Sequence, residues 1–124
     1  MNGTVFRVIL KTPAMKSEDF QNCINACLEC MTACRLCATA CLNETHVSHL
    51  VKCIQLDIEC AALCSASAEQ MAINGEHKAD LCLACADSCE RCAEECNKHA
   101  EHEHCKRCAE ICARCAEECR RIAA

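Results

Sequence analysis

The cysteines of this chain recur at the spacing that places side chains along one face of a helix. Between positions 23 and 41 the interval from one cysteine to the next alternates between four and three residues. That alternation is the a/d rhythm of helices that pack their seams together, and Leu, Ile or Val normally fill it. The sequence therefore predicts helices whose buried face is lined with thiols.

The same rhythm returns in two later segments, 82–96 and 105–119, which both end in Cys-Ala-Glu-Glu-Cys. A sparser version of the rhythm spans 53–64. Asp57 takes a seam position within this segment, and Ser67 and Met71 take seam positions just after it. The nineteen cysteines are Cys23, Cys27, Cys30, Cys34, Cys37, Cys41, Cys53, Cys60, Cys64, Cys82, Cys85, Cys89, Cys92, Cys96, Cys105, Cys108, Cys112, Cys115 and Cys119.

A packing role does not explain so many thiols. One or two cysteines sit in a core as small hydrophobes, but replacing Leu along whole seams gives up methylenes worth about 0.8 kcal/mol each. Thiolates that bind a soft metal ion would compensate for that loss, and thiolate selects Cu(I). Bare buried thiolates are not tolerated, so charge balance predicts about one Cu(I) for each of the nineteen cysteines.

Other chemistries of sulfur fit the spacing less well. Iron–sulfur electron-transfer proteins gather cysteines on loops, and zinc sites take closed tetrahedral sets from turns; general Zn or Cd buffering stays as the main alternative. Disulfides are disfavoured because the cysteine count is odd and follows the helix period. No Cys-His-acid set stands apart from the ladder, so the chain is not predicted to be an enzyme.

Composition favours an all-α domain. The 124 residues include two Gly, one Pro and no Trp or Tyr, whereas helix formers are abundant. The net charge of −5 and the lack of a basic patch argue against nucleic acid. No apolar run reaches the roughly 18 residues of a membrane span, and no export signal is visible, so we expect a cytoplasmic protein.

Helix signals divide the chain into a short N-terminal arm at 1–12 and one bundle domain at 13–124. Start and stop signals are Thr12-Pro13, Asn43, Thr45 and Asn74-Gly75, where Gly75 is expected to supply a left-handed residue. The predicted helices cover about 13–42, 46–73, 76–97 and 102–122. Their short connections predict an antiparallel up-down-up-down four-helix bundle with a cysteine-lined core.

This topology collects five of the six histidines at one end, near Cys41, Cys53, Cys96 and Cys105. His46 and His49 precede Cys53 in phase with the seam, His102 precedes Cys105, and His99 and His104 lie close by in the sequence. Imidazole can pass Cu(I) on to thiolates, so this mouth is a candidate copper entrance; an ordinary polar turn is the alternative. Met15 and Met71 lie at the other end, and core packing is their simpler role.

Asp57 lies on the seam, four residues after Cys53 and three before Cys60. A buried carboxylate is costly unless it is bonded. We therefore consider a metal ligand, a hydrogen-bond partner of a ligand, and an orientation that reaches solvent as alternatives for this residue.

The helical Cys-x3-Cys and Cys-x2-Cys ladders over about residues 15–122 resemble those of copper storage proteins, specifically the cytosolic members. The resemblance implies a four-helix bundle filled with Cu(I), commonly assembled as a homotetramer, that stores or sequesters copper. It also implies copper-ligand roles for the nineteen cysteines and for histidines at the mouth. A copper chaperone is a candidate partner.

A homo-oligomer is also expected from surplus apolar residues on helices 1 and 2. These residues are Ile24, Leu28, Leu36, Leu50, Val51, Ile54, Leu56, Ile58 and Leu63. Helices 3 and 4 carry charges at the matching positions and are expected to face water, as are Glu94, Glu95, Glu117 and Glu118.

Overall fold

The computed structural model describes residues 17–123, so the predicted arm at 1–12, the Thr12-Pro13 helix start and Met15 lie outside the described residues. Within 17–123 there are four α-helices and no strand. They are α1 (Ser17–Leu42), α2 (Val51–Ala72), α3 (Lys78–Asn97) and α4 (Glu103–Ala123), and a 3₁₀ turn at Val47–Leu50 leads directly into α2. The predicted all-α class is confirmed.

The four helices form a closed ring in which each packs against two neighbours. Helix α1 packs on α2 and α4, and α3 packs on the same two helices. Over the described residues, the backbones of the diagonal pairs α1–α3 and α2–α4 do not approach each other. On α2 and α3, Cys53 contacts Cys96 and Cys64 contacts Cys85, so the two helices run in opposite directions. The predicted antiparallel bundle is confirmed.

Thiols and small side chains fill the bundle. All nineteen cysteines are free, and none is more than 1% exposed. Alanines flank the seams, and Ala61, Ala86 and Ala109 are buried beside them. Because Ala adds almost no bulk between helices, the cysteines of facing helices reach one another across the core.

The connection from α1 to α2 differs from the prediction. Asn43 ends α1 by donating its side-chain amide to the Thr39 carbonyl at 3.0 Å, but Thr45 caps nothing, and His46 precedes the 3₁₀ turn without a side-chain cap. A 3₁₀ turn has three residues per turn and shifts the phase of the seam. Leu50, 2% exposed, therefore closes the core at this end; its expected place on a partner surface is wrong.

The connection from α2 to α3 is a Schellman motif. Asn74 takes the left-handed conformation with φ 52°, and no glycine among the described residues has a positive φ, so the role predicted for Gly75 is wrong. The Asn74 N–H donates to the Met71 carbonyl at 3.2 Å and the Gly75 N–H to the Gln70 carbonyl at 2.8 Å. A Cβ on Gly75 would lie 1.9 Å from Gln70 Oε1, the end of a flexible side chain that can move aside, so this contact does not require glycine.

The connection from α3 to α4 is a tight turn over residues 98–102 without glycine or proline. Its backbone closes through hydrogen bonds, among them His99 N–H to the Cys96 carbonyl and His102 N–H to the His99 carbonyl, each at 3.0 Å. The turn places His99 and His102 beside the α1–α2 connection. Among the described helices, none combines the length and apolarity that crossing a membrane requires.

Candidate metal centre

Cysteine sulfurs from neighbouring helices lie in direct contact along the whole bundle. The shortest Sγ–Sγ distances are 3.3 Å between Cys53 and Cys96 and 3.4 Å between Cys60 and Cys89. At the far end, Cys119 lies 3.6 Å from Cys27 and 3.8 Å from Cys23. The thiols therefore form one continuous column rather than separate pairs.

The column contains overlapping groups of four sulfurs, each close enough to share a metal ion. In every group the four Sγ atoms lie within 4.8 Å of one another. The groups include Cys27-Cys85-Cys115-Cys119, Cys30-Cys60-Cys64-Cys89, Cys30-Cys34-Cys60-Cys112, Cys34-Cys92-Cys108-Cys112 and Cys37-Cys41-Cys53-Cys105. The three central groups share members, Cys30 and Cys60 between the second and third and Cys34 and Cys112 between the third and fourth, so one sulfur there can serve two ions.

Cys30 shows how the column crosses the bundle. Its Sγ lies 3.9 Å from that of Cys60 on α2, 3.9 Å from that of Cys89 on α3 and 3.6 Å from that of Cys112 on α4. Helices α1 and α3 do not meet through their backbones, so sulfur is what joins this diagonal pair. Ions bound here would connect all four helices.

Burial favours the protonated form of two thiols at the mouth, Cys41 and Cys105. Loss of solvation raises the pKa of Cys41 to about 11 and likewise raises the pKa of Cys105. At neutral pH these two thiols are therefore uncharged in the metal-free protein. Binding of Cu(I) must replace the thiol proton, so each thiol that becomes a ligand releases one H⁺ to solvent, whether it binds one ion or bridges two.

Asp57 faces the core, and the solvent-reaching alternative is wrong because its side chain is fully buried. Its Oδ1 accepts from the thiols of Cys92 at 3.1 Å and Cys108 at 3.4 Å, whereas Oδ2 has no hydrogen-bond partner. Burial, with the nearby Cys108 sulfur, raises the pKa of Asp57 to about 8. A carboxyl oxygen among sulfurs, with its second oxygen unsatisfied, suits either role left for it, a ligand or a partner of ligands.

The raised pKa of Asp57 predicts a pH-dependent stability. The folded state binds the carboxyl proton more tightly than the unfolded state, so stability present at low pH is lost as pH rises toward 8. Between about pH 5 and pH 8 the free energy of unfolding of the reduced, metal-free protein should fall by on the order of 3 kcal/mol. Anaerobic urea unfolding measures it.

The isosteric variant Asp57→Asn should lose most of that pH dependence. Asp87→Asn is the matched control, because Asp87 lies on the surface of α3 in an exposed pair with Arg91 and should keep the wild-type slope. Equal slopes for wild type and Asp57→Asn would show that the buried carboxyl does not titrate in this range.

His104 is the histidine that reaches the thiols. Its Nδ1 lies 3.5 Å from the sulfur of Cys105, 3.7 Å from that of Cys37 and 3.8 Å from that of Cys41. The side chain is 22% exposed, so it touches both solvent and the last sulfur layer. The first N-terminal residues of α4 hold it there, immediately before Cys105.

The other histidines of this end surround a depression of about 480 Å³, here named the mouth depression. Its lining residues are Glu44, Thr45, His46, His49, Leu50, His99, Glu101 and His102. His46 and His49 are exposed and stack on each other with ring centroids 5.7 Å apart. His46 and His49 line the mouth depression but do not face the sulfur column, because the 3₁₀ turn puts Leu50 at the inward-facing position.

Two carboxylates in this region contact histidines, which the sequence did not predict. Glu44 Oε2 lies 2.8 Å from His104 Nε2 and 3.2 Å from His102 Nδ1. Glu95, expected on the solvated face, is only 7% exposed and pairs with His99 at 3.0 Å. No spacing pattern in the sequence predicts these two contacts, although an acidic residue near a histidine-rich turn is a natural hydrogen-bond partner.

The opposite end of the column is closed by apolar side chains. Met71 and Ile122 are buried, and Phe20 packs against the core cluster. Ser67 faces the interior, where its hydroxyl donates to the Leu81 carbonyl at 3.0 Å, which explains one missing thiol on α2. The two ends of the bundle therefore differ in chemistry, with imidazoles at one and hydrocarbon at the other.

Known proteins share this arrangement. A cysteine-rich protein from Bacillus subtilis (strain 168), itself uncharacterised, is 47% identical over 102 residues, which cover 82% of this chain and 94% of that protein. The apo form of copper storage protein 3 from Bacillus subtilis matches with a TM-score of 0.79 at 47% identity, covering 84% of this chain and 98% of that one.

A copper storage protein from Streptomyces lividans, loaded with 10 copper equivalents, matches with a TM-score of 0.83 at 37% identity. That alignment covers 92% of this chain and 94% of the Streptomyces protein. A family model described as copper storage protein matches residues 16–124, which include every cysteine of the thiol column. The chain belongs to the copper storage protein family.

Proposed function

We propose that this protein stores Cu(I) in the core of its bundle, with the cysteine thiolates as ligands and about one ion per cysteine. The observation that carries the proposal is the unbroken column of buried thiols, in which four-sulfur groups follow one another along the bundle. A catalytic thiol must be within reach of its substrate, whereas every thiol of this column is buried. We accordingly expect no catalytic activity.

Relatives support a role with many ions. One matching structure is a Cu(I)-bound copper storage protein, and the Streptomyces lividans protein has been observed with five coppers and with 10 copper equivalents. A protein that is found with fewer and with more copper ions bound is consistent with a store that fills stepwise. The Streptomyces protein is a cytosolic one, and we propose the same compartment here, where thiols stay reduced.

Zn or Cd buffering is the alternative that the four-sulfur groups themselves suggest, since zinc takes four ligands in a tetrahedron. Shared sulfurs oppose it, because divalent ions at such density would leave surplus positive charge. Competition separates the two: the reduced protein should take Cu(I) from a Cu(I)-selective chelator in the presence of excess Zn²⁺. Preferential Zn²⁺ uptake, or visible charge-transfer absorption of an iron–sulfur cluster, would contradict Cu(I) storage.

We also propose that the protein assembles into a homo-oligomer. A groove of about 770 Å³ lies between α1 and α4, lined in part by Leu28, Leu36 and Ile111. Leu36 is 67% exposed, and Val51 and Ile58 of α2 are also exposed. The apolar surface that was expected on α1 and α2 therefore extends onto α4. Four residues expected on that surface pack against the core instead, namely Ile24, Ile54, Leu56 and Leu63.

Light scattering of the reduced apoprotein at micromolar concentration should give a mass above that of a monomer. The double variant Leu28→Glu/Leu36→Glu should shift the protein toward monomer, because it places charges in the apolar groove. Leu83→Glu is the matched control, since Leu83 is an exposed leucine on α3 whose exposure, 52%, lies between the 43% of Leu28 and the 67% of Leu36. A wild-type monomer would contradict the assembly.

A further inference from the structure

We propose that Leu50 is a hydrophobic plug between the mouth depression and the thiol column, and that Cu(I) enters and leaves only as fast as this side chain moves aside. The proposal deepens the Cu(I)-storage function and rests on it for the passage of copper. Its other part, the closure of the column to small molecules, concerns the metal-free protein and is tested there without copper.

Leu50 lies between the depression and the outermost sulfurs. It lines the mouth depression, yet it is only 2% exposed and belongs to the buried core cluster that contains the cysteines. It precedes Cys53 by three residues, which is about one helical turn. Cys53 forms the four-sulfur group of this end with Cys37, Cys41 and Cys105. Leu50 therefore covers that group on the side of the depression.

The depression itself reaches no sulfur. Within residues 17–123 its lining consists of histidines, carboxylates, Thr45 and Leu50, and it includes no cysteine. The neighbouring thiols of Cys41, Cys53 and Cys105 are fully buried. Leu50 is the one hydrocarbon side chain of this lining, so an ion that has reached the imidazoles still meets a barrier of carbon and hydrogen before the thiols.

A hydrocarbon barrier delays copper because it offers no donor atom. Sulfur and imidazole nitrogen bind Cu(I), and neither is present on Leu50. His104 does not remove the barrier, because it is not part of the lining of the depression. Its Nδ1 faces the sulfurs at 3.5 to 3.8 Å, so an ion reaches that nitrogen only from inside the closed end.

The groove between α1 and α4 is the rival route to the thiols. Cys37 and Cys108 line it together with His104, and each of the two cysteines is 1% exposed. The homo-oligomer proposed above would cover this groove, which leaves the mouth as the open end of the column. Leu50 is then the side chain that decides access.

The segment that carries Leu50 can move without unfolding a helix. Leu50 is the last residue of the 3₁₀ turn Val47–Leu50 and directly precedes α2. Hydrogen bonds in 3₁₀ turns have poorer geometry than those in α-helices, and this turn begins at His46 without a side-chain cap. Local opening of such a turn costs less free energy than global unfolding. The plug can therefore open while the four helices stay in place.

Leu50→Ala should expose the outermost thiols of the reduced, metal-free protein to a small reagent. Iodoacetamide under native conditions should modify Cys41, Cys53 and Cys105 on the order of tenfold faster than in the wild type, because the rate follows the population of the open form. Thiols at the other end, such as that of Cys119, should keep their wild-type rates. Peptide mass spectrometry after short exposures measures each site.

The same variant should take up and release Cu(I) on the order of tenfold faster, with unchanged capacity because Leu50 supplies no ligand. Leu50→Ile keeps the hydrocarbon volume and should behave as the wild type in both measurements. Ile122→Ala is the matched control, because Ile122 is a buried side chain at the opposite end, 7% exposed. Its loss also weakens the core but should leave the mouth thiols and the copper rates unchanged. Circular dichroism checks that all variants stay helical.

The outcomes separate a plug from a general packing role. Wild-type labelling of the mouth thiols in Leu50→Ala, or equally fast labelling in Ile122→Ala, would overturn the proposal. So would Leu50→Ile as fast as Leu50→Ala, since the turn and not the bulk would then matter.

Faster labelling with wild-type copper rates would overturn the part of the plug in copper passage. If Cys37 and Cys108 were labelled first and Leu50→Ala left the copper rates unchanged, the route would lie in the groove between α1 and α4. Faster labelling of the mouth thiols in a protein that binds few Cu(I) ions would support the plug and refute the storage function instead.

Discussion

Anaerobic titration of the reduced protein with Cu(I) is expected to saturate near one ion per thiol, about nineteen per chain. At saturation one thiol proton has been replaced for each Cu(I), so a filled core carries no net charge from its sulfurs, and thiols that have not yet bound copper stay neutral. Four-sulfur groups follow one another along the column, and the three central ones share members, so ions can occupy neighbouring positions. Metal analysis after removal of loosely bound copper gives the number directly.

Removing one group of sulfurs should lower that number in proportion. The variant in which Cys30, Cys34, Cys60 and Cys112 become Ala removes one complete group, and its capacity should fall by about four ions on the same charge balance. Ser67→Ala is the control, because it alters a buried residue that contributes no sulfur and should keep full capacity. Circular dichroism checks that both variants stay helical. A wild-type plateau at four or fewer ions per chain would contradict a storage core and favour discrete structural sites.

Replacing His46, His49, His102 and His104 with Ala should slow both the uptake and the removal of copper while capacity stays almost unchanged. His104 touches three sulfurs of the outermost layer, at 3.5 to 3.8 Å, whereas the core below contains thiols that solvent does not reach. Loss of these imidazoles removes the ligands that meet copper first. We expect a slowing on the order of tenfold, which corresponds to about 1.4 kcal/mol in the barrier. Stopped-flow transfer from a Cu(I) donor, and to a strong chelator, measures both directions.

His77→Ala is the matched control for the entrance. His77 lies at the start of α3, at the other end of the bundle, where it is exposed and pairs only weakly with Asp80 at 3.8 Å. Its replacement should leave both rates at the wild-type value. Wild-type rates in the four-histidine variant would show that these residues form an ordinary polar turn. The end closed by Met71 would then be the better candidate for the entrance.

The thiol column was predictable because its signal is periodic and local. Alternating intervals of three and four residues place Cys23 to Cys41 on one helix face whatever the rest of the chain does. The short connections then decide the antiparallel order, and with it which cysteines face one another. The fold class and the burial of the sulfurs follow from these two facts, and both are found.

The details of the mouth were not predictable because turns decide them. His49 was expected to face the core, but Leu50 faces it instead. A 3₁₀ turn, which no residue pattern predicts, shifts the register of the inward-facing positions before α2 begins. Glu44 meets His104 across 60 positions of sequence, and no spacing rule covers such a contact. Asn74 takes the left-handed conformation one residue before the glycine that signals the turn. Contacts made only in the folded bundle settle all three.

The diagonal sulfur contacts have a consequence for the lifetime of the loaded protein. Cys30 and Cys89, 3.9 Å apart, lie on helices without backbone contact and are separated by 59 positions of sequence. An ion bound by both would act as a cross-link that closes a long loop, and such links restrict the unfolded chain. Unfolding would then have to wait for metal to leave. Degradation of a full store would therefore be timed by copper release, which would protect the protein while it holds copper and expose it once it is empty.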